Sequence, residues 1–179
     1  MGYIPLPADV LFTRNEKSWI GPAIRWATRG NGEPPTYTNH VAGVGVGRHR
    51  VIEALWTVEE SDVDLWQALN PVFQAWRIPK LPMVTRNIVA VEASQYLGRS
   101  YGWWKLGAHL GDGLLSKLFG KNVYLFRPAM FMKNYPICSW VWAYAYSKIG
   151  VRFDCNPDCA DPDTMHDYVS SSPEWVKVF

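Results

Sequence analysis

Apolar and polar positions alternate with a period of two in several short stretches, and each such stretch predicts a strand. Asp9-Val10-Leu11-Phe12-Thr13-Arg14 is the first; His40 to Val44 and His49 to Leu55 form a pair; Asn70 to Ile78 is another. Between them the period changes. Ser18 is placed as an N-cap for a helix through Ile20, Ala23, Ile24 and Ala27, which ends in the loop Gly30-Asn31-Gly32-Glu33-Pro34-Pro35. Thr85 to Leu97 has helical spacing and stops at Gly98, and the run from Cys138 is closed by Gly150. In that last helix Val141, Trp142, Ala145 and Ile149 share the face of Cys138, so it packs on the sheet with its thiol aimed at strand residues. Asp161-Pro162-Asp163-Thr164-Met165 opens a short helix, and Trp175 to Phe179 reads as a last strand.

The paired strands can be taken further. Gly45-Val46-Gly47-Arg48 has hairpin turn chemistry, and directly paired residues share a face. Pairing Val44 with His49 sets Glu53 opposite His40, on a face that also carries Ala42, Val44, Val51 and Leu55. A carboxylate on an apolar wall needs a partner, and an imidazole N–H is one. Cys138 stands at a helix start, where unpaired N–H groups favour a thiolate. Cys138, His40 and Glu53 therefore read as nucleophile, base and orienting acid.

Composition narrows the setting. A chain of 179 residues, 48% hydrophobic and 15% aromatic, suits one domain over 1–179 with a large core. Formal net charge is +2 with both signs interspersed, which argues against a nucleic-acid partner. The first residues carry neither a secretory h-region nor a basic n-region, and no apolar run is long enough to span a bilayer, so the expectation is a cytoplasmic protein, or one released by lysis or carried in a phage particle. Three cysteines leave at least one thiol outside any internal pairing. Cys155, Cys159 and His166 lack the spacing of a zinc site and no fourth ligand stands out, so neither a metal nor another cofactor is expected.

Residues 103–121, rich in Gly, Leu and Lys, read as helices covering the core, as a lid over the thiol, or as a patch meeting lipid. Trp103 and Trp104 suit a substrate groove, since aromatic faces fit sugar rings and acyl chains alike. The remaining histidines, His49, His109 and His166, read as loop or surface residues.

The order Ala8 to Phe12, Thr38-Asn39-His40-Val41, Val51-Ile52-Glu53-Ala54, Gly98-Arg99-Ser100-Tyr101-Gly102 and Ile137-Cys138-Ser139 resembles the circularly permuted papain-like cysteine hydrolases, the NlpC-related proteins of the YiiX type, with lecithin:retinol acyltransferases as distant relatives. The resemblance implies an α+β fold in which an antiparallel half-barrel sheet packs on the cysteine helix, and a triad of Cys138, His40 and Glu53. It also implies amide hydrolysis on a cell-wall peptide of peptidoglycan, with Tyr101, Trp103, Trp104 and Ser139 near the substrate. An acyltransferase or thioesterase acting at a membrane surface, and an inactive virion-associated binding protein, are the alternatives. In the YiiX type the cysteine is commonly followed by Ser-Glu, whereas here Ser139 precedes Trp140.

Overall fold

The computed structural model describes residues 2–14, 22, 25, 37–120, 123, 125–126 and 136–179, apart from the side chains of 104–106 and 109. The expected helix after Ser18 falls almost wholly outside these residues. Six strands form an open antiparallel sheet in the order β4-β3-β2-β1-β5-β6: β1 is Val10–Thr13, β2 His40–Val44, β3 Arg50–Ala54, β4 Val58–Asp62, β5 Phe73–Arg77 and β6 Val176–Lys177. The helices are α1 (Val63–Leu69), α2 (Met83–Ser94), α3 (Trp103–Phe119), α4 (Cys138–Ser147) and α5 (Pro162–Ser171), with one 3-10 turn at Pro157–Cys159.

Alternation along the strands divides the core between the two faces of the sheet. Val10, Phe12, Val41, Ile52 and Val58 face α2, α4 and α5; Leu11, Ala42, Val44, Val51 and Ala75 face Val63 and Trp66 of α1. Helix α4 is buried nearly all round, which explains its Trp- and Tyr-rich composition. Its indoles and phenols also carry hydrogen bonds inward. Trp142 Nε1 donates to the Ile52 carbonyl at 3.2 Å and the Tyr146 hydroxyl donates to the Ala8 carbonyl, which ties the helix to β3 and to the entry of β1. Close approach of α4 to β2 depends on Gly43, where a Cβ would stand 2.5 Å from the Trp142 ring.

Asp9, fully buried at the mouth of β1, anchors the same end of the molecule. It accepts from the Tyr3 hydroxyl, the Leu6 N–H and the Arg77 guanidinium, with Arg86 at 3.7 Å. A buried carboxylate with this many donors is a stable arrangement, and removal of one side leaves charge stranded.

Several expectations need correction. The β2–β3 register is Val44 with Val51 and Ala42 with Glu53, two residues along from the expected pairing, so Glu53 lies diagonal to His40. Parity survives that offset, and the two side chains still share a face. Leu55 leaves the apolar wall and is exposed. Residues 103–119 form one continuous helix, and the last strand is only two residues long. Strand β4 and helix α1 were not foreseen. Helix α1 is capped by the Asp62 carboxylate, which accepts from the N–H groups of Asp64 and Leu65.

Candidate active site

His40 is the first residue of β2. Thr38, fully buried, fixes the approach to it: its hydroxyl donates to the carbonyls of Thr13 and His40, 2.9 Å from each, and accepts from the His40 N–H at 3.3 Å. On the next strand Glu53 turns to the ring, with Glu53 Oε2 2.8 Å from His40 Nε2 and the two side chains only 12% and 11% exposed. Nε2 is therefore taken, and Nδ1 is the ring nitrogen left for another partner.

That partner is Cys138. Helix α4 begins at Cys138 with Ile137 as its N-cap residue and no side-chain cap, so the first-turn N–H groups are not claimed by a capping oxygen. Two backbone N–H groups, from Ser139 and from Val41 of β2, reach the sulfur, and His40 hydrogen-bonds to it. Burial alone raises the thiol pKa; the His40 hydrogen bond and charge, together with the two N–H groups, outweigh it and hold the thiol below its ordinary range. For His40, burial lowers the pKa, and the hydrogen bonds and charges of Cys138 and Glu53 override it, raising the ring to about 10. Glu53 is raised by burial and lowered more strongly by the His40 hydrogen bond and charge, with the smallest contribution from the Trp66 indole, whose buried N–H makes no full hydrogen bond. The sum favours a thiolate beside an imidazolium beside a carboxylate.

Tyr101 is brought to the same sulfur by the 98–101 segment, which runs beside β4: Gly98 N–H donates to Val58 O, Val58 N–H to Arg99 O, and Tyr101 N–H to Trp56 O, each at 2.9 Å. Its hydroxyl contacts the sulfur and accepts from the Cys138 N–H; burial, then the Cys138 charge and hydrogen bond, raise the phenol far above its usual value, so it remains a proton donor. Trp103 follows, its ring centroid 5.0 Å from that of Tyr101 and 5.0 Å from that of Trp56. Trp56 is a site neighbour that sequence reading missed. It falls in the bend between β3 and β4, just past the expected strand, and its 73% exposure is visible only in the fold.

Other expected residues sort differently. Ser139 is wholly buried and donates to the Ala160 carbonyl at 2.8 Å, holding the 160 loop, and its backbone N–H, not its hydroxyl, faces the sulfur. Trp104 has its side chain outside the described residues. His166 sits among Phe12, Tyr37 and Trp76, bonded to Gln74 at 3.1 Å; burial and the Lys177 charge lower it to about 4, so it is neutral. Cys155 and Cys159 are not joined in a disulfide. Among the described residues no group of three His, Cys, Asp or Glu side chains is placed to hold a metal ion, and no helix is long and apolar enough to cross a membrane.

No family model matches the chain, and no curated protein matches it. A solved structure does: the metalloprotein yiiX from Escherichia coli O157:H7, 16% identical, superposes with a TM-score of 0.66 over 99% of this chain and 98% of that one. The chain thus shares the mixed α+β fold of yiiX from end to end.

Proposed function

We propose that the protein is a cysteine-dependent hydrolase that works through an acyl-enzyme on Cys138. The observation that carries this reading is the convergence of one sulfur, one imidazole and one carboxylate from three separate elements. The Cys138 thiolate attacks a carbonyl carbon. The Cys138 N–H and the protonated Tyr101 hydroxyl, which neighbour the sulfur, serve as the donors for the developing oxyanion. His40, charged and steadied by Glu53, gives its proton to the leaving group; it then takes one from the water that releases the acyl group.

The arrangement defines the chemistry at the carbonyl. In the cell-wall peptide reading the leaving group is an amine. In the lipid reading it is an alcohol or thiol, and the exposed aromatic and apolar surface beside the thiol favours that second class. The permuted papain-like relationship is part of this proposal and is supported by the order of histidine before cysteine together with the yiiX-like fold. The described residues gather no donor set for a metal such as the yiiX name carries.

Iodoacetamide at pH 6 tests the core of the reading, since a free thiol of ordinary pKa reacts slowly there. Cys138 should be alkylated rapidly in the native protein and slowly in His40→Ala. Parallel incubation with peptidoglycan and with short-chain phospholipid should yield a thioacyl adduct at Cys138 with one of them. Equal alkylation of the two proteins, or turnover retained by Cys138→Ala, would overturn the proposal.

A further inference from the structure

Glu53 has two carboxylate oxygens, and His40 Nε2 holds one of them at 2.8 Å. A carboxylate accepts several hydrogen bonds, and one whose side chain is only 12% exposed meets little water. The other group that bears on it is the indole N–H of Trp66. Trp66 belongs to α1 and lies against the same face of the sheet as Glu53. It packs with Ala42, the residue paired with Glu53, and with Val51, two residues earlier on the same strand. The ring is 1% exposed, and its Nε1 has no hydrogen-bond partner of full geometry. An N–H left unpaired in the core is costly, and a phenylalanine at this place would avoid that cost.

The indole is fixed from both ends of its helix. Val63 N–H donates to the His49 carbonyl at 2.9 Å, just ahead of β3, and the Trp66 carbonyl accepts from Asn70 N–H at 2.9 Å and Asn70 Nδ2 at 3.0 Å. Thr13, opposite His40 on β1, reaches Asn70 through its hydroxyl. The Trp66 ring meets Phe73 edge to face, with centroids 5.3 Å apart. Helix α1 is thus tied to the strand of Glu53 at its start and to the neighbour of His40 at its end. Trp175 is the contrast: its Nε1 is also buried and unpartnered, but its ring packs on those of Tyr146 and Phe153, away from the triad.

The other titratable groups near Glu53 are acids. Glu59 stands opposite it on β4, exposed, its carboxylate accepting from the Thr57 hydroxyl at 2.7 Å; Asp62 and Asp64, at the start of α1, are exposed as well. None of them offers a donor when ionised. During turnover His40 passes its proton to the leaving group, and Glu53 then keeps its charge while losing the cation beside it. A buried carboxylate in that position needs another dipole.

We propose that Trp66 is a positioning residue for Glu53: its indole N–H closes on the oxygen that His40 does not hold, and keeps the acid charged and turned to the ring once the ring is neutral. The proposal rests on the reading of Glu53 as the acid of the site. His40→Ala removes the cation and leaves the indole as donor, so the pair can be read by itself. In protein labelled with 13C at the glutamate carboxyls, the Glu53 signal is identified by its loss in Glu53→Gln. In the His40→Ala background, Trp66→Phe should raise the Glu53 midpoint by about one pH unit, a tenfold change in acidity, whereas Trp175→Phe should leave it in place. In His40→Ala itself, the Trp66 indole 1H–15N signal, assigned through its contact with Phe73, should move downfield with the midpoint of the carboxyl.

A Glu53 midpoint unmoved by Trp66→Phe, or an indole signal that does not follow the carboxyl, would overturn the proposal. Should Trp66→Phe fail to fold, the indole signal decides alone. Alkylation of Cys138 at pH 6 separates this outcome from the fate of the hydrolase reading. Equal rates in the native protein and His40→Ala, with a shared indole and carboxyl midpoint, would end that reading and leave the indole–carboxylate pair standing. Fast native alkylation with an unresponsive indole would do the reverse.

Discussion

Glu53→Gln isolates the charge of the acid from its shape. The amide can still accept from His40 Nε2, so the hydrogen bond at 2.8 Å is replaceable while the negative charge is not. Two unit charges centred about 4 Å apart interact by about 4 kcal/mol at an effective dielectric near 20. Residual exposure of the pair and the retained hydrogen bond reduce the loss to about 2–3 kcal/mol. At about 1.4 kcal/mol per tenfold change, His40 should fall from about 10 to about 8. NMR titration of the histidine C–H signals reads this directly, with His40→Asn identifying the resonance and Glu59→Gln, on the neighbouring strand, as a control. The sign also fixes a stability trend. A histidine raised in the folded state stabilises most below its unfolded value near 6.5, and that contribution is lost as pH rises toward about 10. In the variant the loss should be complete by about pH 8. A His40 titration unchanged by Glu53→Gln would refute the share of the ring's raised pKa assigned to Glu53 beside that of Cys138.

Two further substitutions test the frame around the site. Asp9→Ala strands Arg77 and Arg86 beside a buried void and should cost about 3–5 kcal/mol, lowering the thermal midpoint by roughly 10 °C; a shift of a degree or two in calorimetry would contradict the anchoring role. Gly43→Ala puts a methyl 2.5 Å from the Trp142 ring and should cost about 1–3 kcal/mol while slowing alkylation of Cys138, because α4 must move off β2; Gly45→Ala, whose new Cβ meets the movable end of Ile52 at 3.2 Å, should cost less and leave the alkylation rate unchanged.

The meeting of His40 and Glu53 was legible because it needed only residue types and parity. His40 and Glu53 were expected on one face, and a two-residue shift in pairing leaves that relation intact. The shift itself was hidden in the turn. Residues 45–49 separate the strands, with Gly45 N–H bonded to Arg50 O and Arg48 in the left-handed region at φ 66°, a conformation that arginine does not advertise. Strand β4 escaped notice for a different reason: Val58-Glu59-Glu60-Ser61-Asp62 is an edge strand, and charged edge strands lack the apolar alternation that marks a strand. Helix α1 had its signal, Asp62 ahead of Val63 and Trp66, in a stretch too short for periodicity to speak. Tyr101 was placed near substrate on resemblance alone, and its hold on the sulfur comes from bridges to residues 56–58, which no local pattern announces.

The start of α4 is steadied by residues translated after it: Trp140 Nε1 donates to Asp158 at 2.8 Å and the Ser139 hydroxyl to Ala160. During synthesis, His40 and Glu53 leave the ribosome early, the sulfur much later, and its fastening last of all. A chain halted before residue 158 would thus hold all three polar residues of the site and lack the two contacts that seat the first turn behind the sulfur.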